Sequence, residues 1–432
     1  MELVVFLVSL FGFLALGIPI AIVLVLCSMV LMYYGGMWDS MFVMIIPQSM
    51  LDGANNYPLM AIPFFVMAGS IMNYSGVTQR LMDLANLLVG HLTGGLGHVN
   101  VLLSTLMGGI SGSGAADASM ECKLLVPEME RRGYSRAFSG AVTAASCVIT
   151  PIIPPGVGLI VYSFICQVSA GKMLCAGYIP GLMLCVAMML VVYFVSKKQG
   201  YKPSRERIGT PGEILRAAAK ASWALVIPFV LVLGLRFGVC TATEGGAIIA
   251  VYALFVGVFI YREIKWEHVP KILLDAVLST ATVMLIMCAS NAFAFYLSWE
   301  RIPQALSEVV IQISGGNKYV FLLMVNVLFL VLGMFLDGTA AMIILGPLFA
   351  PVAGLLGIDP IHFGIVIVLN ITLGGITPPF GMYLYLVAGT IHEKIEAIVK
   401  ELWPFLLVSV IVLFAITYIP PLVTFIPDLV YG

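Results

Sequence analysis

Two short breaks, rich in glycine and oxygen-bearing side chains, interrupt the apolar sequence, one in each half of the chain. The first is Gly108–Asp117 (GGISGSGAAD), and the second is Gly333–Thr339 (GMFLDGT). Such runs offer flexible backbone, hydroxyl groups and exposed carbonyl oxygens, and hard cations take oxygen ligands. Because an ionisable residue within an apolar stretch is costly, Asp117 and Asp337 are candidate functional residues. These breaks are typical of a site for Na⁺.

A proline pair follows each break further along the chain, in Thr150–Gly156 and in Gly374–Gly381. Proline lacks an N–H and clashes with the preceding turn, so a helix must open there. The helix that restarts after each pair points free N–H groups and a partial positive charge inward, which attracts an anion. A substrate carboxylate is therefore expected between the two restarts.

Candidate site residues follow from these four segments. We expect one Na⁺ to bind Ser111, Gly112 and Ser113 with Thr377, and a second to bind Asp337, Thr339 and Thr150, although this pairing stays open. The full predicted sets are Ser111, Asp117, Pro154, Pro155, Pro378 and Pro379 for substrate, and Ser111, Gly112, Ser113, Thr150, Asp337, Thr339, Gly374 and Thr377 for Na⁺.

Structural explanations compete with this interpretation. Small-residue runs also allow close helix packing, and Asp117 could simply accept a structural hydrogen bond. Matching breaks in both halves are harder to explain in that way, because paired interruptions are typical of a transporter's binding site.

The composition indicates a polytopic membrane protein. Hydrophobic residues make up 61% of the chain and charged residues 10%, against about 25% charged in soluble domains. Uncharged stretches such as Met183–Val195 and Phe321–Phe335 approach, with their flanks, the length that crosses a bilayer. The net charge of −1, without a basic stripe, argues against nucleic acid. The scattered cysteines and histidines predict no metal cluster and no organic cofactor.

The distribution of charge predicts the orientation of the segments. Most of the 21 Lys and Arg residues cluster, notably within 123–136, 197–220 and 262–271. The positive-inside rule places these clusters in the cytoplasm. The first break then lies between cytoplasmic loops and the second between external loops.

The expected fold class is an all-α polytopic membrane protein with inverted-topology repeats. Each apolar arm beside a break has about fifteen residues, short for a complete crossing, so we expect two re-entrant hairpins entering from opposite sides. The predicted first repeat is 1–200, with a surface helix over about 77–90, a hairpin over about 95–128 and a broken helix over about 137–169. The second is 221–432, with the equivalent elements over about 302–314, 318–356 and 360–391.

At these residues the chain resembles the large membrane subunit of tripartite ATP-independent periplasmic (TRAP) transporters. The resemblance implies an elevator-type importer of organic acids such as sialic acids, C4-dicarboxylates or sugar acids, coupled to Na⁺, in the bacterial inner membrane. It also implies a small four-helix membrane subunit and a periplasmic substrate-binding protein as partners. The motifs that carry it are Gly17–Ala21, Ala61–Phe65, Ser111–Ser113, Ile153–Pro155, Thr243–Glu244, Ile358–Pro360 and Thr377–Gly381.

Three other functions compete with this one. One is an ion-coupled organic-anion transporter that works without a binding protein. A membrane enzyme would need an acid/base or metal cluster at one interface, and the sequence offers none. An ion channel would need a continuous pore rather than a symmetric pair of broken sites.

Overall fold

The computed structural model describes residues 2–36, 38, 40–55, 60–336 and 338–431. The described residues form helices and no strands, which confirms the all-helical prediction. The helices are α1 (Glu2–Ala15), α2 (Ile20–Tyr34), α3 (Ser40–Ala54), α4 (Ala61–Tyr74), α5 (Val77–Val89), α6 (Gly95–Gly108), α7 (Gly114–Arg131), α8 (Arg136–Ser146), α9 (Val157–Ile165), α10 (Ala170–Ala176), α11 (Tyr178–Gln199), α12 (Pro211–Arg236), α13 (Ala242–Phe255), α14 (Val269–Trp299), α15 (Ile302–Ser314), α16 (Lys318–Phe335), α17 (Gly338–Leu355), α18 (Pro360–Gly374), α19 (Met382–Ile391), α20 (Ile395–Tyr418) and α21 (Pro421–Tyr431).

Seven helical stretches among the described residues are long and apolar enough to cross a membrane. They are Ala170–Gln199, Pro211–Arg236, Ala242–Ile260, Trp266–Trp299, Lys318–Phe335, Gly338–Leu355 and Ile395–Tyr418.

Hairpin 1 consists of α6, α7 and the loop between them. Ser113 caps α7 by accepting a hydrogen bond from the Ala116 N–H, the role its short hydroxyl side chain favours. Both helices pack against α8. The prolines at 151, 154 and 155 then keep the chain out of helix until α9 begins at Val157.

Hairpin 2 consists of α16, α17 and the segment between them, and both helices pack against α18. Asp359 caps α18 by accepting from the N–H groups of Ile361 and His362 at 2.9 and 2.8 Å. The arms α16 and α17 each have 18 residues, more than the length expected from sequence. Since both are apolar enough to span a bilayer, the re-entrant path of hairpin 2 stays a prediction.

One helix of each hairpin packs against the broken helix from the other half of the chain. Helix α7 of hairpin 1 packs on α19, and α17 of hairpin 2 packs on α9. The helices α8 and α18 form the centre of the core, because residues 138–146 and 361–374 are all buried. Hairpins and broken helices therefore form one packed group.

An outer group of helices surrounds this core. Helix α14 packs on α2, α3 and α4, and α4 packs on α13. Contacts of α4 with α9, and of α14 with α17, connect the outer group to the core. The broken helices and the hairpins thus face a wall made by α4 and α14.

Candidate functional site

A cavity of about 380 Å³ lies where the two hairpins, the two broken helices and the outer helices meet. The residues 111–116 of hairpin 1 (tip 1) and Gly338 and Thr339 of hairpin 2 (tip 2) line it together. Pro151, Val157 and Gly158 come from the first broken helix, and Val368, Ile371, Thr372, Met382 and Tyr383 from the second. The outer helices contribute polar groups as well, from Ser70, Asn73, Ser279 and Thr282.

Three oxygen atoms of tip 1, the Ser111 and Ser113 hydroxyls and the Gly112 carbonyl, make only long hydrogen bonds within the protein. The Ser111 hydroxyl lies 3.4 Å from the Met107 carbonyl, and the Ser113 hydroxyl lies 3.4 Å from the Ala116 N–H. The Gly112 carbonyl accepts from the Val157 N–H, also at 3.4 Å. Since good hydrogen bonds are about 2.5–3.0 Å long for O–H donors and about 2.7–3.2 Å long for N–H donors, these oxygens keep lone pairs for a ligand.

Gly112 holds tip 1 against the first proline pair. Its φ of +59° lies in the left-handed region, which glycine enters without strain. A Cβ here would lie 2.5 Å from the Pro155 carbonyl oxygen. Pro154 and Pro155 are buried, so the structure brings tip 1 and the first proline pair into direct backbone contact.

The second proline pair is more open than the first. Pro378 is half-buried and Pro379 is exposed. The Thr377 hydroxyl donates to the Leu373 carbonyl at 2.7 Å, and Gly374 touches Gly333, whose Cα is 2.6 Å from a Cβ built at 374. Neither Thr377 nor Gly374 lines the cavity. Asp337, an expected Na⁺ ligand, lies outside the described residues.

Asp117 and Thr150 lie together, behind the cavity rather than in its lining. Asp117 is 1% exposed, and its Oδ2 accepts from the Thr150 hydroxyl at 2.7 Å. Its Oδ1 is buried without a hydrogen-bond partner. The structure thus joins Thr150 to Asp117 in the same half of the chain, whereas the sequence predicts a group with Asp337 and Thr339. Of the expected ligands, Ser111, Gly112, Ser113 and Thr339 line the cavity.

Sequence reasoning missed a second buried acid, Glu121, which lies one turn after Asp117 on α7 and is 0% exposed. The spacing of four residues, which puts two helical side chains on one face, was the available signal. It also missed the polar residues of α4 and α14. No local pattern marks them, because only the fold brings these helices to the cavity.

No residue described in the cavity lining carries a formal charge. Four helices nevertheless begin there, since Gly114, Val157, Gly338 and Met382 are the first residues of α7, α9, α17 and α19. Each helix N-terminus carries a partial positive charge of roughly half a unit. The cavity is therefore electropositive through its backbone.

The family described as "Tripartite ATP-independent periplasmic transporter, DctM component" matches residues 7–422. The chain belongs to this family. It is the large permease of a TRAP transporter, as the motifs predicted, and a multi-pass protein of the inner membrane. Relatives in the TRAP family are permeases, which confirms the prediction that the chain is not an enzyme.

Two TRAP relatives match nearly end to end. The sialic acid TRAP transporter large permease protein SiaM of Vibrio cholerae is 36% identical over 431 residues, covering 98% of this chain and 99% of the relative. The 2,3-diketo-L-gulonate TRAP transporter large permease protein YiaN of Escherichia coli is 35% identical over 423 residues, covering 98% of each.

A solved structure shares the fold at low identity. The YdaH transporter of Alcanivorax borkumensis, described as having an unusual topology, superposes with a TM-score of 0.63 at 15% identity. The match covers 89% of this chain and 91% of that one.

Proposed function

We propose that this TRAP permease imports a carboxylated organic acid together with Na⁺, binding both in the cavity between the hairpin tips. The observation that carries this proposal is the convergence of four helix N-termini on a lining without charged side chains among the described residues. Four half-charges sum to about +2, of which an ionised Asp117 in the first turn of α7 offsets about one unit, and the remainder favours an anion. A neutral solute would gain less from this field.

The size of the cavity fits a small acid. Ligand sites have volumes of about 300–1,000 Å³, and 380 Å³ lies at the small end. The hydroxyl and amide groups of Ser70, Asn73 and Thr282 would bind polar groups of the substrate. The relatives named for sialic acid and 2,3-diketo-L-gulonate support a sugar acid, with C4-dicarboxylates as a second class.

Alternating access would follow an elevator mechanism. Hairpins and broken helices pack as one group. Their contact with the outer wall is close at Gly69 of α4, where an added Cβ would lie 3.2 Å from the Ser111 carbonyl oxygen. Movement of the core along α4 and α14 would carry the cavity across the membrane. The proposed partners are a small four-helix subunit beside the outer group and a binding protein that delivers the acid.

Reconstitution tests this function. Proteoliposomes carrying this chain and the small subunit, with the binding protein supplied outside, should accumulate one of labelled sialic acid, 2,3-diketo-L-gulonate or succinate under an inward Na⁺ gradient. Omitting either partner should abolish accumulation. Counterflow, in which internal unlabelled acid speeds entry of label, should be present. Its absence with free passage of the acid would instead indicate a channel.

Placing a negative charge at tip 1 should oppose substrate binding. Ala115 lines the cavity beside the α7 N-terminus, so the Ala115→Glu carboxylate would occupy the anion's field. Ala115→Gln has the same size without the charge and is the matched control. We expect uptake by A115E to fall at least about tenfold below that of A115Q, equivalent to about 1.4 kcal/mol. Equal uptake by the two variants would contradict an anion site at tip 1.

A further inference from the structure

A second cavity, of about 250 Å³, lies between α5 and the first turns of α12. The two helices pack against each other, and charged side chains line the space between them. They are Arg80 and Asp83 of α5 and Glu213, Arg216 and Lys220 of α12. None of them lines the cavity between the hairpin tips, so the proposed transport site does not account for this charged space.

Two of the charged groups already have partners. Arg80 pairs with Glu263 at 3.7 Å. Glu213 forms the capping box of α12, in which its carboxylate accepts from the Thr210 N–H at 2.8 Å. These two groups have opposite signs, so their charges also offset each other across the cavity.

Arg216 and Lys220 are the cations available to a ligand. They lie one turn apart on α12, which puts both side chains on one face of the helix. None of the ion pairs among the described residues includes either of them. On the opposite wall, Asp83 accepts from the neutral amide of Gln79 at 3.2 Å. The whole lining holds three cations and two acids, which leaves one excess positive charge.

Tyr261 fixes the two walls of the cavity relative to each other. Its hydroxyl donates to the Lys220 carbonyl at 2.7 Å. Its ring lies 3.9 Å from the Arg80 guanidinium, within the range of a cation–π contact. One residue thus holds the backbone of α12 and a side chain of α5, which gives this end of the cavity a defined shape.

The cavity lies along α12 at the depth expected for lipid headgroups. Lys220 is the last charged residue before the uncharged run 221–235 within a helix long enough to cross the membrane. The positive-inside rule places residues 197–220 in the cytoplasm. Trp223 and Val226 follow, and they are 43% and 44% exposed, as expected for side chains that face lipid. A lipid with its headgroup in the cavity can therefore lay its acyl chains on this apolar surface.

We propose that this cavity binds the headgroup of an anionic phospholipid of the cytoplasmic leaflet, of the phosphatidylglycerol type. Arg216 and Lys220 bind the phosphate oxygens, since basic pockets on the cytoplasmic side suit lipid phosphates and the guanidinium fork matches phosphate geometry. Asp83 accepts a hydrogen bond from a headgroup hydroxyl. The single excess positive charge of the lining matches one phosphodiester.

The bound lipid joins two helices that belong to different connections. Helix α5 links α4 of the outer group to hairpin 1, and α12 packs on α13. A headgroup in contact with both fastens α5 to the outer helices. Binding of the lipid should therefore raise the melting temperature of the protein.

The test titrates the complete chain, purified with its small subunit in detergent, with dioleoyl-phosphatidylglycerol and counts bound lipids by native mass spectrometry. The variant Arg216→Gln, Lys220→Gln should bind the lipid at least about tenfold more weakly than wild type. Lys197→Gln, Lys198→Gln is the matched control, because these exposed lysines end α11 and do not line the cavity. It should bind as wild type does. Equal affinities of the two double variants would overturn the proposal.

Ala217→Leu separates a shaped site from general attraction to a basic surface. Ala217 lines the cavity beside Arg216, so a leucine there fills the space and keeps both charges. The affinity for phosphatidylglycerol should fall in A217L as well. Wild-type affinity in this variant would overturn the headgroup site and leave only diffuse attraction to the basic surface.

Two further ligands identify the source of the phosphate. Phosphatidylglycerol should raise the melting temperature of wild type and of the lysine control, but not that of the Arg216→Gln, Lys220→Gln variant. Phosphatidylethanolamine, which has no net charge, should raise it less, and glycerol 3-phosphate at the same concentration should not raise it. An equal rise with glycerol 3-phosphate would overturn a lipid site, and an equal rise with phosphatidylethanolamine would overturn the choice of an anionic lipid.

Discussion

Replacing Gly112 by alanine should abolish most transport while leaving the protein folded. The added Cβ would lie 2.5 Å from the Pro155 carbonyl oxygen and 3.1 Å from the Gly156 Cα, so tip 1 must move off the first proline pair. Overpacking of this kind costs about 1–3 kcal/mol. If that energy opposes formation of the binding site, uptake should fall by about ten- to a hundredfold.

Gly133→Ala is the matched control for the backbone. Gly133 has a φ of +85°, and a Cβ there meets nothing within 4 Å. An alanine at position 133 would therefore have the same strained left-handed backbone conformation as one at position 112, but its Cβ would not collide with a neighbour. We expect G133A to transport near the wild-type rate, measured as uptake into proteoliposomes alongside the melting temperature. Equal losses in both variants would show that strain alone, and not contact with Pro155, explains the effect.

Replacing Na⁺ by K⁺ outside the vesicles should reduce uptake by about a hundredfold or more, the effect of losing some 2.7 kcal/mol of coupling. The physical basis is tip 1, where the Ser111 and Ser113 hydroxyls make only 3.4 Å contacts within the protein. Na⁺ is expected to bind these hydroxyl and carbonyl oxygens better than the larger K⁺. Uptake should also respond to an inside-negative potential if more than one Na⁺ enters per monoanion, since each charge contributes about 2.3 kcal/mol per 100 mV.

A set of hydroxyl deletions locates the ion. The double variant Ser111→Ala, Ser113→Ala should need at least about tenfold more Na⁺ for half-maximal uptake, a loss of about 1.4 kcal/mol. Ser222→Ala is the control, because that hydroxyl donates to the Ala219 carbonyl of its own helix at 2.8 Å and does not line the cavity. An unchanged Na⁺ dependence in the double variant would remove tip 1 from the ion site.

Features that depend on neighbouring residues in the sequence could be predicted. Prolines at 154, 155, 378 and 379 mark where the broken helices open, and Ser111–Ser113 marks a segment that lines the cavity. The lengths of the hairpin arms were less predictable, because hydrophobic sequence alone does not show where a helix ends. Helices α16 and α17 have 18 residues each.

Contacts between distant segments could not be predicted. The sequence pattern groups Thr150 with residues of hairpin 2, yet its hydroxyl bonds Asp117, since α7 and α8 pack side by side in the first half of the chain. Ser70 and Ser279 reach the cavity only because α4 and α14 form its outer wall. Such pairings depend on tertiary packing, which a single sequence does not encode in any short pattern.

Protection of a cysteine placed in the cavity wall shows whether substrate and Na⁺ bind there together. Ser70→Cys lies on the outer helix α4, and the native Cys240, half-exposed and outside the described lining, serves as the internal reference. The rate of maleimide labelling at each site is measured by mass spectrometry in the reconstituted complex. Saturating transported acid, at about ten times its dissociation constant, should slow labelling at position 70 about tenfold in Na⁺ and far less in K⁺, with Cys240 unchanged. Labelling at position 70 that the acid does not slow in Na⁺, while uptake continues, would contradict the claim.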